Sequence, residues 1–366
     1  MTPIKETIFR ANGDYSACHS ATICKLPDGD ILVAWFAGKY EGDPNSVIMI
    51  SRKLSGQEGW SEPRIVVDVY NRAAGNPRIF IGPDGKLWLV APVNYGDWCQ
   101  GGTRLFIKRS SDNGLNWSDL ELFLPDMGIL GKNKPFITKS GIFIIPCEYE
   151  RYWQPVFITF ADHGVNWELS RVPDNNFLLH QPTLYQKADG EIIALMRSWE
   201  GFVYKTSSND NGVSWTTPEP TNIPNNNSGI DVVRLKNNWL VLACNPVHLG
   251  EDGLTIVTPE ERQKKIDYIE LNRADTEQIN KIQFGADDKL KLSYPSWGPR
   301  NRLSLILSKD DGETWEAVHD LENGTGEYSY PAIITDYADH LLVVYTSRRS
   351  EITYQRICLS SDIHID

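Results

Sequence analysis

The sequence predicts an all-β fold, a six-bladed β-propeller, and three observations predict it. A short turn ending in Trp recurs along the chain, a second family of turns lies between its copies, and apolar, β-branched strands flank both. Internal repeats with a period near fifty residues are the mark of an architecture built from stacked, similar units.

The first repeat reads SSDNGLNW at 110–117, FADHGVNW at 160–167, SNDNGVSW at 208–215 and SKDDGETW at 308–315, with a degenerate relative, SRKLSGQEGW, ending at Trp60. In each full copy Asp and Gly two apart make a tight turn: the Asp caps backbone amides and the Gly accepts positive φ. The Trp then packs the turn onto its blade. From Trp60 the steps are 57, 50 and 48 residues, and then 100. The second repeat places turns at Asp28-Gly29, Asp84-Gly85, Ser140-Gly141, Asp189-Gly190, Asn237-Asn238 and Ala338-Asp339, each followed by a strand such as DILVAWF, KLWLVAPV or HLLVVYTS. Six inner turns imply six blades in one domain spanning 1–366. The last blade lacks a Trp turn, so the N-terminal strand around Ile4–Phe9 is expected to close the ring. The 100-residue step then holds an insertion, 246–300, within blade 5. Thr258-Pro259-Glu260-Glu261 has the form of a capping box with Pro at the first helical position, which places a short helix in it. The rival is a seventh blade built from KIDYIEL and LKLSYP.

Composition narrows the partners. The chain carries a net charge of −12 and a pI near 5.1, which argues against nucleic acid or an anionic membrane as the main partner. The start, MTPIKETIFRANGDY, has no apolar stretch of signal-peptide length and no run approaches a membrane span, so the expected location is cytoplasmic. Cys18, Cys24, Cys99, Cys147, Cys244 and Cys358 are scattered without metal-ligand spacing and read as buried thiols. No phosphate-binding glycine loop, nucleotide motif or histidine-rich metal set is present, so no cofactor and no catalytic metal are expected.

In a propeller the first strand of each blade lines the axis, so equivalent positions of different blades meet there. Eight to ten residues before each inner turn stands a polar residue: His19, Asn76, Lys132, Gln181, Ser228 and Tyr328. Arg78, Lys134, His180, Asp231 and Glu327 lie beside them. For one strand the plain reading is a solvent-exposed start. Six in six favour a polar pocket on the axis.

With these residues in place, the chain resembles the sialidase (neuraminidase) superfamily, whose Trp turns are the Asp-boxes or BNR repeats. The resemblance covers roughly 15–360. It implies a sialidase-like propeller and a site compared residue by residue. Where sialidases open the first inner strand with an arginine, this chain has His19. Asp43, nine residues before Arg52, matches the acid/base Asp, and Asn76-Pro77 matches an Asn-Pro pair in the second blade. The fourth blade's Glu and Arg correspond to Gln181 and Arg197. Arg300-Asn301-Arg302-Leu303 resembles the motif of the third arginine, and Tyr328-Ser329 the nucleophilic Tyr-Ser pair. One arginine and the Glu are therefore replaced. A histidine does not reproduce bidentate pairing with a carboxylate, and neutral Gln181 cannot take the proton of a phenol.

Three functions follow as expectations. The first is an exo-acting glycoside hydrolase on a terminal acidic sugar, a sialic or uronic acid. Asp43 would be its acid, Tyr328 its nucleophile or stabiliser, and Arg197 with Arg300 its anion clamp. The second is a uronate lyase in which Tyr328 and His19 move a proton while the arginines hold the carboxylate. The third is a non-catalytic carbohydrate-binding propeller that stacks sugars on Trp98, Trp153 and Tyr149. A glycan is the expected partner in all three.

Overall fold

Several strands of this sequence are apolar along most of their length, which requires cover on both faces. β3 (Ile31–Gly38) is buried after its first residue, and β17 (Ile192–Ser198) is buried throughout. The computed structural model, which describes residues 4–95, 101–151, 153–162, 164–247, 298–336 and 340–358, shows what covers them. The strands form six antiparallel sheets, the blades of a six-bladed β-propeller, and no helix occurs among the described residues.

Blade 1 is β2 (Ala17–Lys25), β3, β4 (Val47–Lys53) and β5 (Arg64–Val67). In blade 2, β6 (Ala73–Ala74) and β7 (Arg78–Ile81) both pair with β8 (Leu87–Asn94), followed by β9 (Thr103–Ser110) and β10 (Glu121–Met127). Blade 3 runs from β11 (Ile129–Leu130) and β12 (Phe136–Ile137) through β13 (Phe143–Tyr149) and β14 (Gln154–Asp162) to β15 (Asn166–Arg171). Blade 4 is β16 (Leu179–Gln186), β17, β18 (Phe202–Ser208) and β19 (Glu219–Pro224). Blade 5 is β20 (Asp231–Arg234), β21 (Leu240–Cys244), β22 (Arg302–Ser308) and β23 (Glu316–Asn323). Blade 6 is β24 (Tyr328–Thr335), β25 (His340–Ser347) and β26 (Glu351–Cys358), completed by β1 (Ile4–Arg10).

The N-terminal strand closes the ring as expected, running antiparallel to β26 with Ile4 opposite Arg356 and Arg10 opposite Glu351. β21 and β22 pair directly, Cys244 opposite Ser304, so the stretch 246–300 leaves and re-enters a single blade. Its expected helix at 258–261 and the segments KIDYIEL and LKLSYP lie outside the described residues. No helix of the described residues is long and apolar enough to cross a membrane.

The core is a ring of seams rather than a centre. One buried cluster includes Trp35 of blade 1 and Val344 of blade 6, another Leu32 of blade 1 and Leu89 of blade 2, and a third Val90 of blade 2 and Ile145 of blade 3. Others include Ile144 and Ala194 of blades 3 and 4, Leu195 and Leu242 of blades 4 and 5, and Val241 and Val343 of blades 5 and 6. Each fully buried aliphatic side chain contributes about 1.5–3 kcal/mol, so the seams hold the fold together. Cys18, Cys24, Cys147 and Cys244 are buried thiols and Cys358 a half-buried one.

The Trp turns fasten these seams. In blade 2, Asp112 Oδ1 accepts the Asn116 amide at 2.9 Å and the Ser110 hydroxyl at 2.7 Å, while Ser110 Oγ accepts the amide of Gly114, φ 82°. The same net recurs around Asp210 and Asp310. The Trp reaches past its own blade: Trp215 of blade 4 stacks on Phe157 of blade 3 at 3.9 Å. The residue before the Gly takes a left-handed turn (Asn113 φ 57°, Asn211 61°, Asp311 60°) and binds the inner turn of the preceding blade. Asn113 donates to Asp28 at 2.7 Å, Asn211 accepts from Ser140 at 2.8 Å, and Asp311 accepts the Ala188 amide at 3.0 Å.

Candidate active site

Three inner strands break their ladders at the same place. Pairing jumps from His19 to Thr22 in β2, from His180 to Thr183 in β16 and from Ser329 to Ala332 in β24. Inside each gap one residue is left-handed: Ser20 at φ 55°, Gln181 at 52° and Tyr330 at 56°, with Asn76 at 34° in blade 2. A non-glycine residue in this region marks a constrained site, and a bulge re-aims one side chain. In three of the four a proline follows (Asn76-Pro77, Gln181-Pro182, Tyr330-Pro331), which has no N–H to give the ladder. The bulge therefore sets the register of the axis, and in blade 6 it presents Tyr330, two residues beyond the Tyr328 expected there.

Tyr330 is the hub of a polar cluster. Arg197 Nη1 donates to Tyr330 Oη at 2.8 Å and to Gln181 Oε1 at 2.9 Å, and Gln181 Nε2 donates to the same phenol oxygen at 3.1 Å. An arginine can only donate, so it fixes the amide of Gln181 with its oxygen toward Arg197 and its nitrogen toward Tyr330. Both contacts to Oη thus come from donors. Arg197 Nε is held by Asn227 Oδ1 at 3.0 Å. Around the ring stand Lys132 Nζ at 5.7 Å from its centroid and the Arg300 guanidinium at 5.8 Å, while the His19 ring lies 4.1 Å from it, tilted.

The surrounding charge shapes its members. Burial, then Arg349, Arg300, Lys132 and Arg197, push His19 well below the usual imidazole range, so it is neutral at neutral pH. Its Nδ1 lies 2.9 Å from Thr346 Oγ1, and its buried Nε2 has no hydrogen-bond partner among the described residues. His19 thus supplies no positive charge to the cluster. A third guanidinium does reach the cluster, from Arg349 between β25 and β26. Arg349 Nε donates to Glu327 Oε1 at 2.9 Å and Nη1 to Glu41, and Arg300 Nη1 donates to the same Glu327 oxygen at 3.0 Å. Burial pushes Glu327 up, but Arg349 and Arg300 outweigh it and hold the carboxyl below its ordinary range.

Other sequence-predicted residues serve as ties. Tyr328 packs in the seam of blades 5 and 6 with Leu303, Leu305 and Tyr345, and its carbonyl accepts from Asn245 at 2.8 Å. Lys132 runs from blade 3 to the carbonyl of Pro331 in blade 6, a residue that falls in the gap of the ladder. Burial, followed by Lys134 and Arg197 and opposed by Asp231, brings Lys132 down to about 7. Lys134 donates to Asp231 at 2.7 Å, and Asp231 also accepts from Thr183 at 2.8 Å and from the Ile333 amide at 2.9 Å, binding blades 3 to 6. Arg78 is wholly buried and donates to the Pro146 carbonyl at 2.9 Å.

Asp43 lies in the loop between β3 and β4, where it accepts the Lys39 amide at 2.8 Å and the Asn45 amide at 3.0 Å. Burial raises its carboxyl, but these bonds prevail and hold it below the ordinary range. His180 stacks on Trp153 at 4.1 Å, and Trp153, only 3% exposed, offers no open sugar platform. Trp98 lies outside the described residues.

Sequence reasoning missed three groups. Tyr330 carried a signal, the X-Pro pair shared with Asn76-Pro77 and Gln181-Pro182. Arg349 and Glu148 carried none. Glu148 of β13 is fully buried, its Oε2 accepting the Gln181 backbone N–H at 3.3 Å, and burial, opposed by Arg78, pushes it up to about 7.

A fold of stacked blades fastened by Asp-box turns, with a polar cluster on its axis, defines a BNR-repeat propeller. The chain belongs to the BNR repeat-like domain family, whose model matches residues 29–342. A comparison with curated protein sequences finds no match. Among solved structures it is similar to the Hadza microbial sialidase Hz136, at 14% identity and TM-score 0.72 over 98% of this chain and 69% of that one. It is also similar to the intramolecular trans-sialidase from Ruminococcus gnavus in complex with oseltamivir carboxylate (12% identity, TM-score 0.69, 98% of both chains). The Penicillium chrysogenum alpha-L-arabinanase complexed with arabinobiose shares 15% identity and TM-score 0.66, over 99% of this chain and 100% of that one. Identities this low establish the fold.

Proposed function

We propose that this protein is a carbohydrate-active enzyme, an exo-acting glycoside hydrolase on a terminal acidic sugar, with Tyr330 as its central catalytic residue. The observation that carries the reading is Tyr330 Oη held by Arg197 and Gln181 amid His19, Lys132, Arg300 and Arg349. Oη attacks the anomeric carbon as the bond to the leaving oxygen breaks, the phenol proton ends on that oxygen, and water then cleaves the Tyr330–sugar bond and returns a proton to Oη. Arg300 and Arg349 meet the sugar carboxylate, for which planar guanidinium donors are suited. Asp43, fixed by two amides and held ionised, is better placed to stabilise developing positive charge than to donate the proton.

A second reading, uronate lysis, is favoured by one observation: the partner of Tyr330 is a neutral amide, where a covalent mechanism calls for a carboxylate base. Tyr330 Oη, in its deprotonated form, would then take the C5 proton and pass it to the departing oxygen as the C4–oxygen bond breaks and a C4=C5 double bond forms.

Incubation with 4-methylumbelliferyl sialoside and glucuronide and with uronate-containing oligosaccharides tests both. Release of 4-methylumbelliferone supports the hydrolase, and a new far-ultraviolet absorbance of an unsaturated uronate supports the lyase. Neither signal from any acidic substrate refutes both.

A further inference from the structure

Three donors converge on one oxygen in this site, and that oxygen belongs to the protein. Glu327 Oε1 accepts from Arg300 Nη1 at 3.0 Å, Arg349 Nε at 2.9 Å and Ser329 Oγ at 3.2 Å. Arg300 lies against the Tyr330 ring, so this carboxylate occupies space beside the hub of the cluster. Arg300 and Glu327 differ in freedom. The Arg300 side chain is 6% exposed and cannot leave, whereas the Glu327 side chain is 34% exposed and can swing to water.

We propose that Glu327 is a specificity-determining residue, a resident carboxylate that an acidic sugar displaces from Arg300 and Arg349. The inference rests on the acidic-sugar reading given above. A carboxylate and two guanidiniums make charge-assisted bonds of similar strength whichever molecule supplies the carboxylate, so exchange of one for the other is nearly balanced. Neutral sugars, which cannot replace the lost ion pairs, are rejected. The cost of this filter is affinity, because apparent binding falls by the fraction of molecules in which Glu327 has swung away. A residue that only orients the two arginines predicts the reverse, since removing it would loosen them.

The test is a calorimetric titration of the full chain with sodium glucuronate, sodium N-acetylneuraminate and neutral galactose, using wild type, Glu327→Gln and Glu327→Ala. Melting curves establish that each variant is folded. Both variants are expected to bind at least one acidic sugar about fivefold or more tightly than wild type, and to bind galactose more tightly as well, because the competing state is removed for every sugar. If wild type binds an acidic sugar and both variants bind it equally or more weakly, Glu327 is an orienting group and the inference fails alone. If no form binds any acidic sugar, the acidic-sugar reading fails and the inference with it.

Discussion

The guanidinium of Arg197 stands 2.8 Å from the phenol oxygen of Tyr330, joining blade 4 to blade 6 through a single charge-assisted hydrogen bond. Because Arg197 also orients Gln181, one side chain decides which atoms face the phenol. Arg197→Lys keeps the charge but not the fork that serves Asn227, Gln181 and Tyr330 together. Turnover of the true substrate is expected to fall about a hundredfold, with the melting temperature shifted far less than by a core truncation. Full retention of turnover would remove Arg197 from the site.

Tyr330 and Tyr328 separate by their surroundings. Tyr330→Phe is expected to lower kcat by at least about a hundredfold with little change in stability. Tyr328→Ala opens a cavity in the seam of blades 5 and 6 and should cost about 3–5 kcal/mol of unfolding free energy. Initial rates and denaturant titrations on the two variants check the assignment; the opposite pattern would return the role to Tyr328.

Glu148 links the site to pH. Its folded value of about 7 lies above the ordinary 4.5, so the folded chain binds the extra proton between these limits. Its contribution to stability is full below 4.5 and is lost as pH rises through 7. Glu148→Gln stays uncharged throughout, so the variant is expected to gain stability relative to wild type between pH 5 and about 8. Urea midpoints at the two ends of that window measure the difference. An identical pH dependence in both chains would show that Glu148 is ionised when folded.

The Trp turns are predicted to act at the seams. Trp215→Ala removes the ring that stacks on Phe157 and donates to Ser170 at 3.1 Å. A loss of about 3–5 kcal/mol is expected, as for other buried aromatics. Thermal unfolding reads it; a loss below 1 kcal/mol would mean that the turn holds without its Trp.

Much of the architecture was legible because it repeats. Each Asp-box binds its own backbone, a local property, and apolar runs such as DILVAWF report burial on both faces whatever lies opposite. The closing role of the strand around Ile4–Phe9 followed from the missing Trp turn of the last blade. The site was legible only in part. Counting back from the inner turns found the right end of each strand, and with it His19, Gln181 and the basic residues. It missed the phase in blade 6, where a tyrosine stands at both spacings: Tyr328 ten residues before Ala338, and Tyr330 eight before it, the spacing that Gln181 keeps from Asp189.

By itself, then, the sequence determined the fold, the number of blades and the polar character of the axis, since local turn chemistry and strand pattern are written in neighbouring residues. Tertiary structure alone decided that Tyr330 rather than Tyr328 faces Arg197 and that Lys134 and Asp231 bind blade to blade. It also showed that Arg349 arrives from a different loop to share Glu327 with Arg300. Those outcomes depend on left-handed residues at the strand starts and on contacts between residues far apart in the chain, such as Lys132 with the Pro331 carbonyl, 199 positions away. Distances of that kind are set when the ring closes.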